Sequence, residues 1–361
     1  MYFTEKIYKK KETNINTTAV YRLTAFWGFT EAFLGGILHA LKIPLTGLLV
    51  GGAAVLFITL IAHFSDEKGA ILKSTFAVIL IKGFVSPYTP FPAYFAVLLQ
   101  GILGEVLFSS KKFFKFSALM LGFSSLLFSG AQKIIIITIL FGNSFWESIN
   151  IFSNYILNQF VTNSSQRLQI NFSLLVIVLY LGLHLIAGIL IGIFAGNLPQ
   201  KIKNINAINF YDSIKNDKSK NIFLFKKAQK KYEPWWKKLS WVLLFLFFTT
   251  VIILSFFYPE LNENLLLKIL IMIIRSIFLM IVWIKIISPV LVNFLRKSLN
   301  KKLRNSTLEI GKMLNFFPKF KKMINYSWSK TSELKGLKRI KIFIEYSIAA
   351  SLTVEVEHED E

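Results

Sequence analysis

The sequence predicts an all-α integral membrane protein with about eight transmembrane helices, a six-helix bundle plus two, followed by cytoplasmic amphipathic helices. Three observations point to it. Of 361 residues, 54% are hydrophobic and only 17% charged, against roughly 25% charged in soluble domains. Apolar segments near the ~20 residues needed to cross a bilayer recur along the chain. The cations are confined to alternate connecting segments, as in multi-pass proteins.

The spans are expected at 19–41, 44–64, 70–86, 91–108, 113–141, 170–196, 239–258 and 265–294. Residues 1–18 are polar and carry 4 Lys and Arg. That stretch is too long for a signal-peptide n-region, and no small-residue cleavage site follows, so no cleaved signal peptide is expected. Between the third and fourth spans, Ser86-Pro87-Tyr88-Thr89-Pro90-Phe91-Pro92 holds three prolines and reads as a rigid turn. In the outer segment Ser144–Gln169, Trp146, Ile149, Phe152, Ile156 and Phe160 recur at helical spacing, which predicts an amphipathic helix along the membrane interface.

Residues 19–196 form a six-span module. Residues 197–238 are a basic linker ending in Pro234-Trp235-Trp236-Lys237-Lys238, an interfacial anchor before a two-span module at 239–294. Residues 295–361 form a basic amphipathic tail. Its apolar residues fall into two helical stretches that part near Pro318, and it closes on the acidic run Glu355-Val356-Glu357-His358-Glu359-Asp360-Glu361. The amphipathic stretches fit either helices drawn to anionic lipid or a docking platform for a cytoplasmic partner.

The charge pattern orients the chain. Segments 1–18, 65–73, 109–115, 197–238 and 296–361 hold 34 of the 42 Lys and Arg, whereas the opposite loops hold only Lys42 and Arg167. Cytoplasmic loops retain positive charge, so both termini are expected in the cytoplasm of an inner membrane. The net charge of +22 then reads as a topology signal and an attraction to anionic membrane lipids, not as a nucleic-acid footprint.

Ionisable groups at membrane depth are costly and tend to face a cavity or a partner. Glu31, Gly35 and His39 share one stripe of the first span. By depth, Glu31, Gln100 and His184 fall near mid-membrane, and His39, Gln132 and Lys133 nearer the outside; together they are the candidate ligand-binding set. Lys82, in the outer part, fits a ligand role or simple snorkelling equally. Glu105 near a cytoplasmic end fits a solvated helix-end acid or an ion pair. His184 fits a packing residue as well as a ligand. Arg275 and Lys285 in the eighth span could pair with bundle acids. Gly28, Ala32, Gly36 and Ala40 form a small-residue ridge for a helix interface, and Gly188, Gly192 and Gly196 form another.

Several chemistries lack a signature. Zero Cys excludes disulfides, thiolate metal sites and cysteine nucleophiles. The four His have no metal-site spacing, and neither a P-loop nor a nucleophile elbow is present. No metal or cofactor is expected, and an enzyme has no positive support.

On these residues the first module resembles the S component, the membrane substrate-binding subunit, of energy-coupling factor vitamin transporters. The likeness covers about residues 19–200 and rests on six short glycine-rich spans, the Gly28-Ala32-Gly36-Ala40 ridge and polar residues toward the outside. It implies that the ridge meets a transmembrane coupling subunit and that a vitamin-sized ligand binds near the outer face. The C-terminal part weakly resembles that coupling subunit. There Lys335-Gly336-Leu337-Lys338-Arg339 is a distant echo of its cytoplasmic motifs, implying that Lys335, Lys338 and Arg339 meet ABC-type ATPases. The expected function is therefore uptake of a small nutrient, powered by separate ATPases. Two alternatives stay open: a membrane enzyme acting on lipid or polyprenyl substrates through Glu31 or Glu105, and a noncatalytic scaffold.

Overall fold

The computed structural model describes residues 17–40, 45–86, 89, 91–160, 169–203 and 304–353, with isolated positions between 250 and 290. Apart from those positions, the expected seventh and eighth spans, with Arg275 and Lys285, lie outside the described residues, as do most of the basic linker and the acidic end. Among the described residues all regular secondary structure is helical.

Helix α1 covers residues 17–40, but Thr30–Leu34 within it is a π-turn, closed by the Gly35 N–H donating to the Thr30 carbonyl. It is followed by α2 (Thr46–Phe64), α3 (Ala70–Val85), α4 (Phe91–Leu107), α5 (Phe114–Phe141), α6 (Asn143–Phe160) and α7 (Phe172–Lys203). The tail supplies α8 (Arg304–Asn315), α9 (Phe317–Lys330) and α10 (Gly336–Thr353), and Pro318 sits in the first turn of α9, where its missing N–H costs nothing. Among the described residues three helices are long and apolar enough to cross a membrane: Thr46–Phe64, Phe114–Phe141 and Phe172–Ile202. The α4 stretch Pro92–Leu107 is apolar but shorter. Likewise α3, at 16 residues, rises only about 24 Å, less than the ~30 Å of a hydrocarbon core.

Residue contacts group the chain into two compact units: 1–129 with 183–222 and 291–361, and 130–182 with 223–290. The core of the first unit contains Leu23 and Trp27 of α1, Ile58 and Ile61 of α2, Ile81 of α3, Leu121 of α5 and Leu198 of α7. The tail joins the same core. Phe316 packs edge-on to Tyr21 at 6.1 Å, Phe320 lies 4.8 Å from Phe26, and Phe317 meets Phe29 at 5.1 Å and Phe33 at 5.7 Å. Such aromatic pairs stabilise beyond the area they bury. Arg22 of α1 donates to the Leu352 carbonyl near the end of α10, and Lys201 of α7 pairs with Glu345 at 3.2 Å. Phe316, Phe317 and Phe320 of the tail are thus spent on α1.

In the same unit α5 and α7 touch backbone to backbone. A Cβ on Gly122 would sit 2.3 Å from the Gly188 carbonyl oxygen, and one on Gly192 would sit 2.7 Å from the Leu119 Cα. The Gly188-Gly192-Gly196 ridge is therefore a contact made within the chain.

The second unit holds the helix expected from the Trp146–Phe160 pattern. Gly142, at φ +75°, ends α5 in the left-handed conformation that glycine adopts without strain, and α6 begins at once. The α6 helix is held by side chains: the Asn154 amide donates to and accepts from the Ile170 backbone at 2.8 and 2.9 Å, while Asn150 accepts from the Ser173 N–H at 2.8 Å. The Trp146 ring N–H donates to Thr138 at 2.9 Å. Phe152 and Phe160 remain exposed.

Candidate functional site

The π-turn sets the position of Glu31. Inserting an extra residue into a helical turn shifts the register of side chains, a device often found at functional sites. Glu31 is buried in α1, and its Oε2 accepts from the Lys82 Nζ of α3 at 2.7 Å. Both side chains are enclosed, 2% and 4% exposed. Two opposite charges removed from water must be tightly paired to persist, since removing either partner strands the other.

The surroundings are apolar with a few matched polar groups. Two turns earlier on each of the two helices, the Thr24 hydroxyl donates to Ser74 at 2.8 Å, and between these pairs Gly28 leaves room for Ile81, which a Cβ there would meet at 2.7 Å. The Tyr94 ring centre lies 6.0 Å from the Lys82 ammonium nitrogen, at the outer limit of a cation–π contact. That ring is oriented by its hydroxyl, which donates to the Ser86 carbonyl at 3.3 Å. Ser86, just past the end of α3, therefore positions the aromatic group beside the cation.

The other candidate residues are distributed more widely. Gln100 is buried on α4, with its amide against the backbone of Gly51: a Cβ on that glycine would lie 3.1 Å from the amide nitrogen. His184 is fully buried in α7. Gln132 and Lys133 lie on the part of α5 assigned to the second unit, with Lys133 exposed. His39 belongs to the helical stretch Gly35–Ala40, but the His39 and Ala40 side chains lie outside the described set. Of the first small-residue ridge, Gly28 is covered by Ile81 of this chain and Ala32 is buried, while a Cβ on Gly36 would meet nothing within 4 Å.

Glu105 has a task the sequence pattern did not suggest. Its carboxylate accepts from the backbone N–H of Gly69 at 2.6 Å and of Leu72 at 3.3 Å. It thereby caps the start of α3 from the end of α4, where the helix dipole favours a negative charge.

The Glu31–Lys82 partnership had one readable signal. Counted from the starts of the first and third expected spans, at residues 19 and 70, both lie the same number of residues in, although the shorter third span sets Lys82 in the outer part and Glu31 falls near mid-membrane. The Glu105 cap had none, because it joins helix ends far apart in sequence. Among the described residues no group of three or more His, Cys, Asp or Glu is arranged to hold a metal ion. Comparison with protein-family models, curated proteins and solved structures yields no match.

Proposed function

We propose that this chain is a multi-pass protein of the cytoplasmic membrane that captures a small, vitamin-like nutrient from outside and depends on separate ABC-type ATPases for energy. One observation carries the reading: opposite charges paired inside an apolar helical bundle. A well-packed apolar pair would stabilise such a bundle as well or better, so the pair calls for a role beyond stability. Opened, it would offer a polar ligand an anion and a cation together. Three membrane-length apolar helices and the one-sided distribution of Lys and Arg support the setting. In this reading eight spans cross the membrane and both termini are cytoplasmic.

The enzyme alternative draws no comparable support, because the carboxylates it would use as a base are already engaged, Glu31 by Lys82 and Glu105 by the α3 start.

The test is affinity purification from the native host in mild detergent, with a crosslinked control and mass spectrometry of the copurifying chains. Stoichiometric ABC-type ATPases are the expected result. Their reproducible absence from an intact crosslinked sample would overturn the proposal.

A further inference from the structure

The α9–α10 hairpin is anchored at one end and bare at the other. Phe317 and Phe320 at the start of α9 pack on α1, and Leu352 near the end of α10 is held by Arg22. The connecting turn lies the length of α9 away from that anchor, 14 residues or about 20 Å of helix rise.

The turn end combines two properties that solvent-facing helices normally keep apart. Leu337 is 84% exposed, Ile340 48% and Trp328 47%. Lys335, Lys338 and Lys341 are exposed beside them, and Lys338 and Lys341 are one turn apart on the helix surface. Between residues 328 and 341 there are five cations and a single acid, Glu333. The Trp328 indole is held in place: the Arg339 guanidinium stacks over its ring at 3.8 Å and donates to its backbone carbonyl at 3.2 Å.

We propose that this hairpin end docks into the headgroup layer of an anionic bilayer leaflet, with Leu337, Ile340 and Trp328 entering the interface and the lysines lying against lipid phosphates. Each component matches that occupant. Tryptophan is favoured at the membrane interface. Lysine stems can lie along apolar surface while the ammonium reaches anionic headgroups. The positive excess complements a negatively charged cytoplasmic leaflet. The tail is also tethered to helices of membrane-spanning length, so even a weak lipid contact acts at high local concentration. The inference rests on the membrane embedding proposed above and is independent of the nutrient, and it gives Lys335 and Lys338 to lipid phosphates in place of the ATPase contact that the coupling-subunit resemblance implies.

The chain has no native cysteine, so Leu337→Cys in the full-length protein gives a single labelling site for an environment-sensitive fluorophore. The labelled chain is reconstituted into vesicles of phosphatidylcholine alone, or of equal parts phosphatidylcholine and phosphatidylglycerol. Blue-shifted emission and quenching by spin-labelled lipid, only in the anionic vesicles, is the expected result. Replacing Lys335, Lys338 and Lys341 by Ser should lower the docked-to-free ratio by roughly a hundredfold, as expected for three cations at an anionic surface. A label that stays in water in both vesicles overturns the proposal, as does shielding that requires added cytosolic protein in place of anionic lipid. Carbonate extraction separates the two readings: a stripped chain sinks both, whereas an inserted chain with a water-exposed label sinks the lipid contact alone.

Discussion

Two helix pairs of the first unit are joined by opposite means. The α1–α3 pair is held by groups that are present, the Glu31–Lys82 ion pair and the Thr24–Ser74 hydrogen bond. The α5–α7 pair is held by what is missing, since Gly122, Gly188 and Gly192 remove the side chains that would keep the backbones apart. Each pair is therefore vulnerable in a different way. A charged contact fails when one partner is deleted, because the other is left buried and unpaired. A glycine contact fails when an atom is added, because the neighbour it meets is backbone and cannot rotate away.

The largest expected effect is on the charged pair. Lys82→Met should destabilise the folded chain by about 3–5 kcal/mol, read as a lowered thermal midpoint in detergent. Adding Glu31→Leu should restore most of the loss, and in the uptake reading that double variant is folded yet deaf to the nutrient. If the single variant melts like the parent, the ionic account of α1–α3 is wrong. Next comes Gly122→Ala, which places a Cβ 2.3 Å from a backbone oxygen and should cost about 1–3 kcal/mol as overpacking. The same melting series checks it, and an unchanged midpoint would mean that the backbones are farther apart.

A smaller effect is expected from Glu105→Ala, which removes the cap on α3 and should cost about 1 kcal/mol. Hydrogen exchange should then quicken at the Gly69 and Leu72 amides while the α5–α7 contact stays protected. The smallest sharpens the contrast among glycines. Gly36 has open space around its would-be Cβ, so Gly36→Ala should leave the isolated chain unchanged or stabilise it by up to about 1 kcal/mol through helix propensity. A marked loss of stability there would show that Gly36, like Gly122, is covered within the chain.

Much of this contrast was written locally. The Gly188-Gly192-Gly196 spacing already announces a close helix contact, because residues four apart share a helix face. Its partner was less legible: Ala118, Gly122 and Gly130 share a spacing in multiples of four along α5, but Leu126 interrupts it and nothing local ties that face to α7. The tail shows the same limit. Its alternation of Lys with Leu and Phe reveals amphipathic helices, but not that Phe316, Phe317 and Phe320 cover α1, since an apolar face does not specify its occupant. Glu31 drew attention as a charge in an apolar run, whereas its π-turn setting had no signature in Thr30-Glu31-Ala32-Phe33-Leu34.

The helical class, the long apolar helices, the segregation of Lys and Arg and the residues too polar for their surroundings all follow from composition and short-range periodicity. That Lys82 answers Glu31, that Glu105 caps α3, that Gly122 meets the α7 ridge and that the tail packs on α1 are features of the folded chain alone. Each of these depends on which helices become neighbours, and that is settled by packing among residues far apart in the chain.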